Sequence, residues 1–172
     1  MRAAIGFSVH TGWAAAVALG GPKATLLARR RVVLADDDLG RFVYHAARET
    51  PEQAAAMVKR SRQVAERRGK AELRAIIDEL GAHRVIAIVV PPAKRELPPL
   101  EKILASHSLV HSAEGELFRA ALVVAAEKAG VAVVELAPAS LPALAVSTPP
   151  WGKDQRIAAA LAWAALGRRN RV

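Results

Sequence analysis

Three groups of residues combine reactive side chains with a spacing that suits chemistry. The stretch SHSLVHSAEGE carries His107, His111 and Glu114. On a helix these fall at i, i+4 and i+7 and share one face. Two imidazoles one turn apart can grip a transition-metal ion, and a carboxylate a turn later can complete a facial set. His107, His111 and Glu114 are therefore the candidate ligands of a divalent metal. The second group, Ser8 and His10, closes the apolar run AAIGFSVH before a Thr-Gly turn, and the third is Asp154 in KDQRIAAALAW. Hydroxyl, imidazole and carboxylate are the parts of a proton-transfer site, so Ser8, His10, His111, Glu114 and Asp154 form the candidate catalytic set.

The elements that must position these groups follow from hydrophobic patterning. AAIGFSV, WAAAVAL and ATLLARRRVVLA read as three strands joined by His10-Thr11-Gly12 and Gly20-Gly21-Pro22, an antiparallel meander. Thr50-Pro51-Glu52-Gln53 has the residues of a capping box with proline at the first helical position. The spacing predicts a helix from there to about Leu80, with a weak point at Gly69 and a stop at Gly81. RVIAIVV, closed by Pro91-Pro92, suits a central strand covered on both faces. The segment AKRELPPLEKILAS leads into the helix HSLVHSAEGELFRAALVVAAEKAG. VAVVEL is a fifth strand, the proline-containing stretch from Ala137 to Gly152 is irregular, and DQRIAAALAWAAL is a last helix.

The order is β-β-β-α-β-α-β-α. Right-handed crossovers put the fourth strand beside the first and the fifth beyond it, a mixed five-stranded α/β sheet with helices on its faces. In that topology His10, the start of the His107 helix and the start of the Asp154 helix open onto one edge of the sheet. Open α/β sheets bind ligands at such an edge.

Composition bounds the partners. The 172 residues, 52% of them hydrophobic, suffice for one core, so residues 1–172 read as a single domain with a basic tail at 168–172. The absence of cysteine rules out disulfides and thiolate metal sites. Without an apolar run of membrane-spanning length or a signal-type leader, the expected location is the cytoplasm, with no membrane partner. Twenty-five Lys and Arg against 16 Asp and Glu give a net charge of +9, which favours polyanions through counterion release.

Arg60, Arg62, Arg67 and Lys70 on the long helix are the candidate phosphate contacts, because a basic ridge can track a backbone without reading bases. With 4% aromatic residues the chain lacks the stacking platforms of a single-strand binder, so structured or duplex nucleic acid is the expected partner. Trp163, amid small apolar residues, reads as core. His45 and His83 read as structural, and Asp36-Asp37-Asp38 as a solvated strand end.

Taken together, the layout resembles the ribonuclease H-like superfamily, and within it the RuvC-type Holliday junction resolvases. IGFSVHTGWAAAVAL is similar to the family's first hairpin, VVELAP to its fifth strand and exit, and KDQRIAAALAW to the acidic start of its last helix. The resemblance implies two-metal phosphodiester hydrolysis by a set of carboxylates. This sequence departs from that set: Ser8 stands at the position of the first acid, Val90-Pro91-Pro92 ends the fourth strand, and Asp154 alone matches. The expectation is a degenerate RuvC-like fold that binds nucleic acid without the usual nuclease activity. The alternatives are a hydrolase or nuclease with a rebuilt His/Glu/Asp site, with or without a divalent metal, and a helix-mediated assembly module or homo-oligomer built on AAALAWAAL.

Overall fold

A computed structural model describes residues 1–138 and 151–168. Most of the proline-containing stretch after Ala137 and the tail arginines Arg169 and Arg171 lie outside the described residues. Strands β1 (Arg2–His10), β2 (Trp13–Gly20) and β3 (Thr25–Val33) form the meander. Helix α1 (Val43–Glu49), a 3₁₀ turn (Pro51–Gln53) and helix α2 (Ala54–Glu79) lead to β4 (Arg84–Val90). Then come α3 (Leu100–Ala105), α4 (His107–Lys128), β5 (Val133–Glu135) and α5 (Lys153–Arg168).

The sheet order is β3-β2-β1-β4-β5, with β1 antiparallel to β2 and parallel to β4. This is the mixed five-stranded sheet expected from a meander followed by crossovers. The period-2 alternation of β1 sorts its side chains into two layers. Ala3, Ile5 and Phe7 point into a core shared with α1, α2 and α4. Ala4 joins the opposite core, built with α5 through Ala158, Leu161 and Ala162. Ser8 and His10 have the parity of Ala4 and so face α5. Fully burying Ile5 or Phe7 contributes about 1.5–3 kcal/mol each.

The approach of α5 is set by Gly6. A Cβ there would overlap the carbonyl oxygen of Ala158 and come within 2.8 Å of the Ala162 amide nitrogen. Backbone sits on backbone, with only alanines between. The run read as AAALAWAAL therefore buries its own sheet: Ala158, Ala159, Leu161 and Ala162 are all buried in the α5 core. The small-residue surface offered for assembly is already covered within the chain. Trp163, expected in the core, is 40% exposed because it falls on the opposite face of that helix.

Three local expectations change. RFVYHAA forms its own helix, α1, separated from α2 by the 3₁₀ turn. The capping box does not form: Thr50 Oγ1 donates to the Ala46 carbonyl at 3.2 Å and finishes α1 instead. Gly69 does not interrupt α2. It is buried where α2 crosses α4, and a methyl group added there would lie 3.5 Å from Ala121 O and 3.6 Å from Ala125 Cβ, so packing outweighs a propensity cost of about 1 kcal/mol.

The two glycines should therefore respond oppositely to alanine. Gly6→Ala must push backbone away from backbone and should cost at least about 2 kcal/mol in urea denaturation. Gly69→Ala makes only ordinary contacts and should change stability by less than about 1 kcal/mol, in the stabilising direction.

Candidate functional site

At the carboxyl end of β1 the α5-facing residues meet the first turn of α5. His10 Nε2 lies 2.8 Å from Asp154 Oδ1, and Ser8 Oγ donates to the same oxygen at 3.3 Å. Ser8 Oγ is also 3.5 Å from His10 Nε2. The geometry differs from a nucleophilic triad in one decisive respect. A relay needs one ring nitrogen on the hydroxyl and the other on the carboxylate, whereas here a single nitrogen faces both. Ser8 is also buried, 6% exposed. The arrangement is a polar lock that joins β1 to α5 and presents the half-exposed His10 to solvent.

His10 is held from the other side as well. Its ring stacks on Trp13 at 4.4 Å with 12° between planes, and the Arg31 guanidinium lies 3.7 Å over the Trp13 ring. The tight turn makes this possible, because Gly12 adopts φ +87° and puts His10 and Trp13 opposite each other. Residue spacing alone gives Trp13 no role; its signal is a tryptophan directly across a two-residue turn from a candidate histidine.

A cleft of about 280 Å³ opens beside this lock. Its lining includes His10 and Thr11 from the β1 end, Lys94 and Arg95 after β4, and His111 and Arg119 from α4. His10 and His111 thus reach one cleft from opposite faces of the sheet, while Ser8, Asp154, Glu114 and His107 are not part of its lining.

The histidine helix is built differently from the expected ligand set. Glu114 falls in the buried stripe of α4 with Val110, Ala113, Leu117 and Phe118 and is only 1% exposed. Its Oε1 accepts from the His45 backbone amide at 3.2 Å and lies 2.9 Å from His45 Nδ1. It therefore addresses His45 rather than sharing an open face with His107 and His111. His45, expected to be structural and without a partner, sits against both, with ring centroids 4.8 Å from His111 and 5.6 Å from His107. His107 Nε2 and His111 Nε2 are 3.0 Å apart. The signal that could have exposed this is a lone charged residue in an apolar helical stripe, which demands a partner from elsewhere in the chain. His83 bonds the Leu80 carbonyl at the end of α2, a structural position.

Several other charges near the carboxyl edge are already paired. Arg119 makes a two-pronged bond to Glu116, at 2.8 and 2.7 Å, and a third at 2.8 Å to Glu135 at the end of β5. In the Asp36-Asp37-Asp38 run, Asp37 and Asp38 are exposed as expected of a solvated strand end, but Asp36 is not. Asp36 is buried and bonds Arg60 at 3.0 and 3.2 Å, while Asp37 binds Arg68 and Asp38 also meets Arg60. Arg60, a candidate phosphate contact, is thus committed to this loop. Arg62 lies near the Tyr44 hydroxyl, and Arg67 and Lys70 are exposed without an ion pair to a described residue.

The fold is that of solved RuvC structures. The Thermus thermophilus RuvC complex with a Holliday junction substrate superposes with a TM-score of 0.59 over 100% of this chain and 98% of that one, at 17% identity. A second Thermus thermophilus RuvC structure gives 0.52 over 96% and 97%, again at 17% identity. No family model and no curated protein sequence matches the chain. This chain therefore has a ribonuclease H-like fold of the RuvC type.

The Asp36 loop yields a pH dependence. Burial pushes the Asp36 carboxyl up, but the amides of Leu39 and Asp38 and the Arg60 guanidinium prevail and hold it below its ordinary 3.8. A depressed carboxyl contributes stability that is complete above the ordinary value and lost as pH falls through the lower folded one. Denaturation at about pH 7 and about pH 3 should show a smaller acid loss for Asp36→Asn than for the native protein.

Proposed function

We propose that this chain is a cytoplasmic nucleic-acid-binding protein that uses the ribonuclease H-like scaffold without two-metal hydrolysis. The observation that carries this reading is the state of the acids on the carboxyl edge. Two divalent ions across a scissile phosphate need several carboxylate oxygens free to hold them. Here Asp154 Oδ1 takes Ser8 and His10, Arg119 bridges Glu116 and Glu135, and β4 ends in Val90 and two prolines. The partners of these acids are a guanidinium and an imidazole rather than open coordination positions. The donor set does not fit a two-ion centre.

Binding is supported by charge and place. The chain carries +9, Lys94 and Arg95 rim the cleft, and Arg67 and Lys70 lie one turn apart on the outer side of α2. A structure of the same fold at 17% identity holds a Holliday junction substrate, so branched or duplex DNA is the partner to test first. Among the described residues no helix is long and apolar enough to cross a membrane. A second reading, metal-independent hydrolysis with His10 as base, has the His10–Asp154 pair at 2.8 Å in its favour.

Purified protein should bind duplex or junction DNA and leave it intact in Mg²⁺ or Mn²⁺. With about five phosphate contacts the logarithmic salt slope should be near −4.5, at roughly −0.9 per phosphate. Replacing both Arg67 and Lys70 by alanine should make it shallower by about 2. Cleavage that requires a metal and is lost in Asp154→Asn would overturn the reading, as would salt-insensitive binding. Metal-free cleavage lost in His10→Ala would establish the second one.

A further inference from the structure

The histidine cluster beside the cleft plays no part in this reading and carries an inference of its own. We propose that His45, His107 and His111 bind a transition-metal dication of the Zn²⁺ class, with Glu114 as the positioning residue that orients His45. One nitrogen from each ring lies within 4.8 Å of the others, and the His107–His111 pair is already at 3.0 Å. Zinc–nitrogen bonds of about 2.0–2.1 Å in a tetrahedral site put ligand nitrogens about 3.3 Å apart. The pair is within a few tenths of an ångström of that spacing. The His107 and His111 rings are exposed and so can turn toward His45.

Charge and tautomer favour the same occupant. Glu114 is a carboxylate 1% exposed, and it bonds both the amide and the ring of His45. Burying an ion without a full counter-charge costs several kcal/mol, and a dication held by the next ring offsets it. When His45 Nδ1–H donates to Glu114, the neutral ring presents Nε2 as a lone pair toward the other two histidines. A carboxylate behind a ligating imidazole both fixes the ring and raises its basicity. Three imidazoles on an exposed surface leave one position of the ion open, as in zinc sites that bind water or substrate. Of the three rings, only His111 also lines the cleft.

The spacing of His107 and His111 is visible in the sequence, but Glu114 has moved from ligand to positioning residue and His45 has taken its place. The site ties α1 to α4, so occupancy should raise the unfolding temperature through mass action.

The test uses full-length protein stripped with a chelator and titrated with Co²⁺, then Zn²⁺. The expected result is the intense visible absorption of tetrahedral Co²⁺, reversed by Zn²⁺, together with a Zn²⁺-dependent rise in melting temperature. His45→Ala and His107→Ala should each abolish the absorption, with circular dichroism confirming the fold. Glu114→Gln should retain it with affinity lowered about 10–100-fold. If that variant does not fold, the exposed His107 variant decides. Native protein without tetrahedral absorption, or absorption unchanged in both histidine variants, overturns the site. Duplex binding by the stripped protein, measured in parallel, should be unaffected, so either proposal can fail alone.

Discussion

The contact of the Ala158 carbonyl against the Cα of Gly6 governs the geometry of everything at the carboxyl edge. With no side chain between them, α5 lies flush on β1, and its first turn falls two to four β1 positions further along, beside Ser8 and His10. Asp154 then has its carboxylate against both by position rather than by search. A larger residue at 6 would lift the helix and break the polar lock. Ser8 fits this picture as a small donor under a close-packed helix. Its hydroxyl proton is accepted by Asp154.

Counting charges without their partners overstates the basic surface. Arg60 and Arg68 close the loop after β3, Arg30 bonds Glu79 at 3.0 and 2.8 Å, and Arg119 links α4 to β5. The exposed pairs among them, Arg30–Glu79 and Arg68–Asp37, contribute about 0–1 kcal/mol each, so their main effect is to hold elements in register. The net +9 remains, and it is expressed through cations outside these networks. Arg67, Lys70, Lys94 and Arg95 are exposed and paired with no described acid. The first two lie on α2 and the last two in the segment after β4, so the positive field spans more than one element.

Much of the fold was legible because it rests on periodicity and chain direction. A meander followed by two crossovers leaves few right-handed solutions, and the apolar run of β4 can only be central. The Ser8–His10–Asp154 grouping was legible for the same reason, being period-2 parity on a strand plus the start of a helix. What was not legible depended on contacts far apart in sequence. His45 meets Glu114 across 69 residues, and no local spacing encodes that. Thr50 had the right neighbours for a cap yet bonds backward to Ala46, since the chain folds into two helices where one was expected. Trp163 shows the limit of composition: alanines around it marked a packed helix but not which side of it was packed.

The two polar constellations stand on opposite faces of one sheet, the His10 lock toward α5 and the histidine cluster toward α1 and α4. They converge only past the strand ends, where His10 and His111 line the same cleft with Lys94, Arg95 and Arg119. Neither group can reach through the sheet, because Phe7 and Val90 fill the core beneath the edge and are 1% and 0% exposed. A ligand that touches both must therefore lie across the edge of the sheet, as an extended backbone does, rather than sink into a pocket. A run of phosphates satisfies that geometry, and the cations that rim the cleft match its charge. His10 and the histidine cluster therefore face one cleft from opposite sides of the sheet without forming one site.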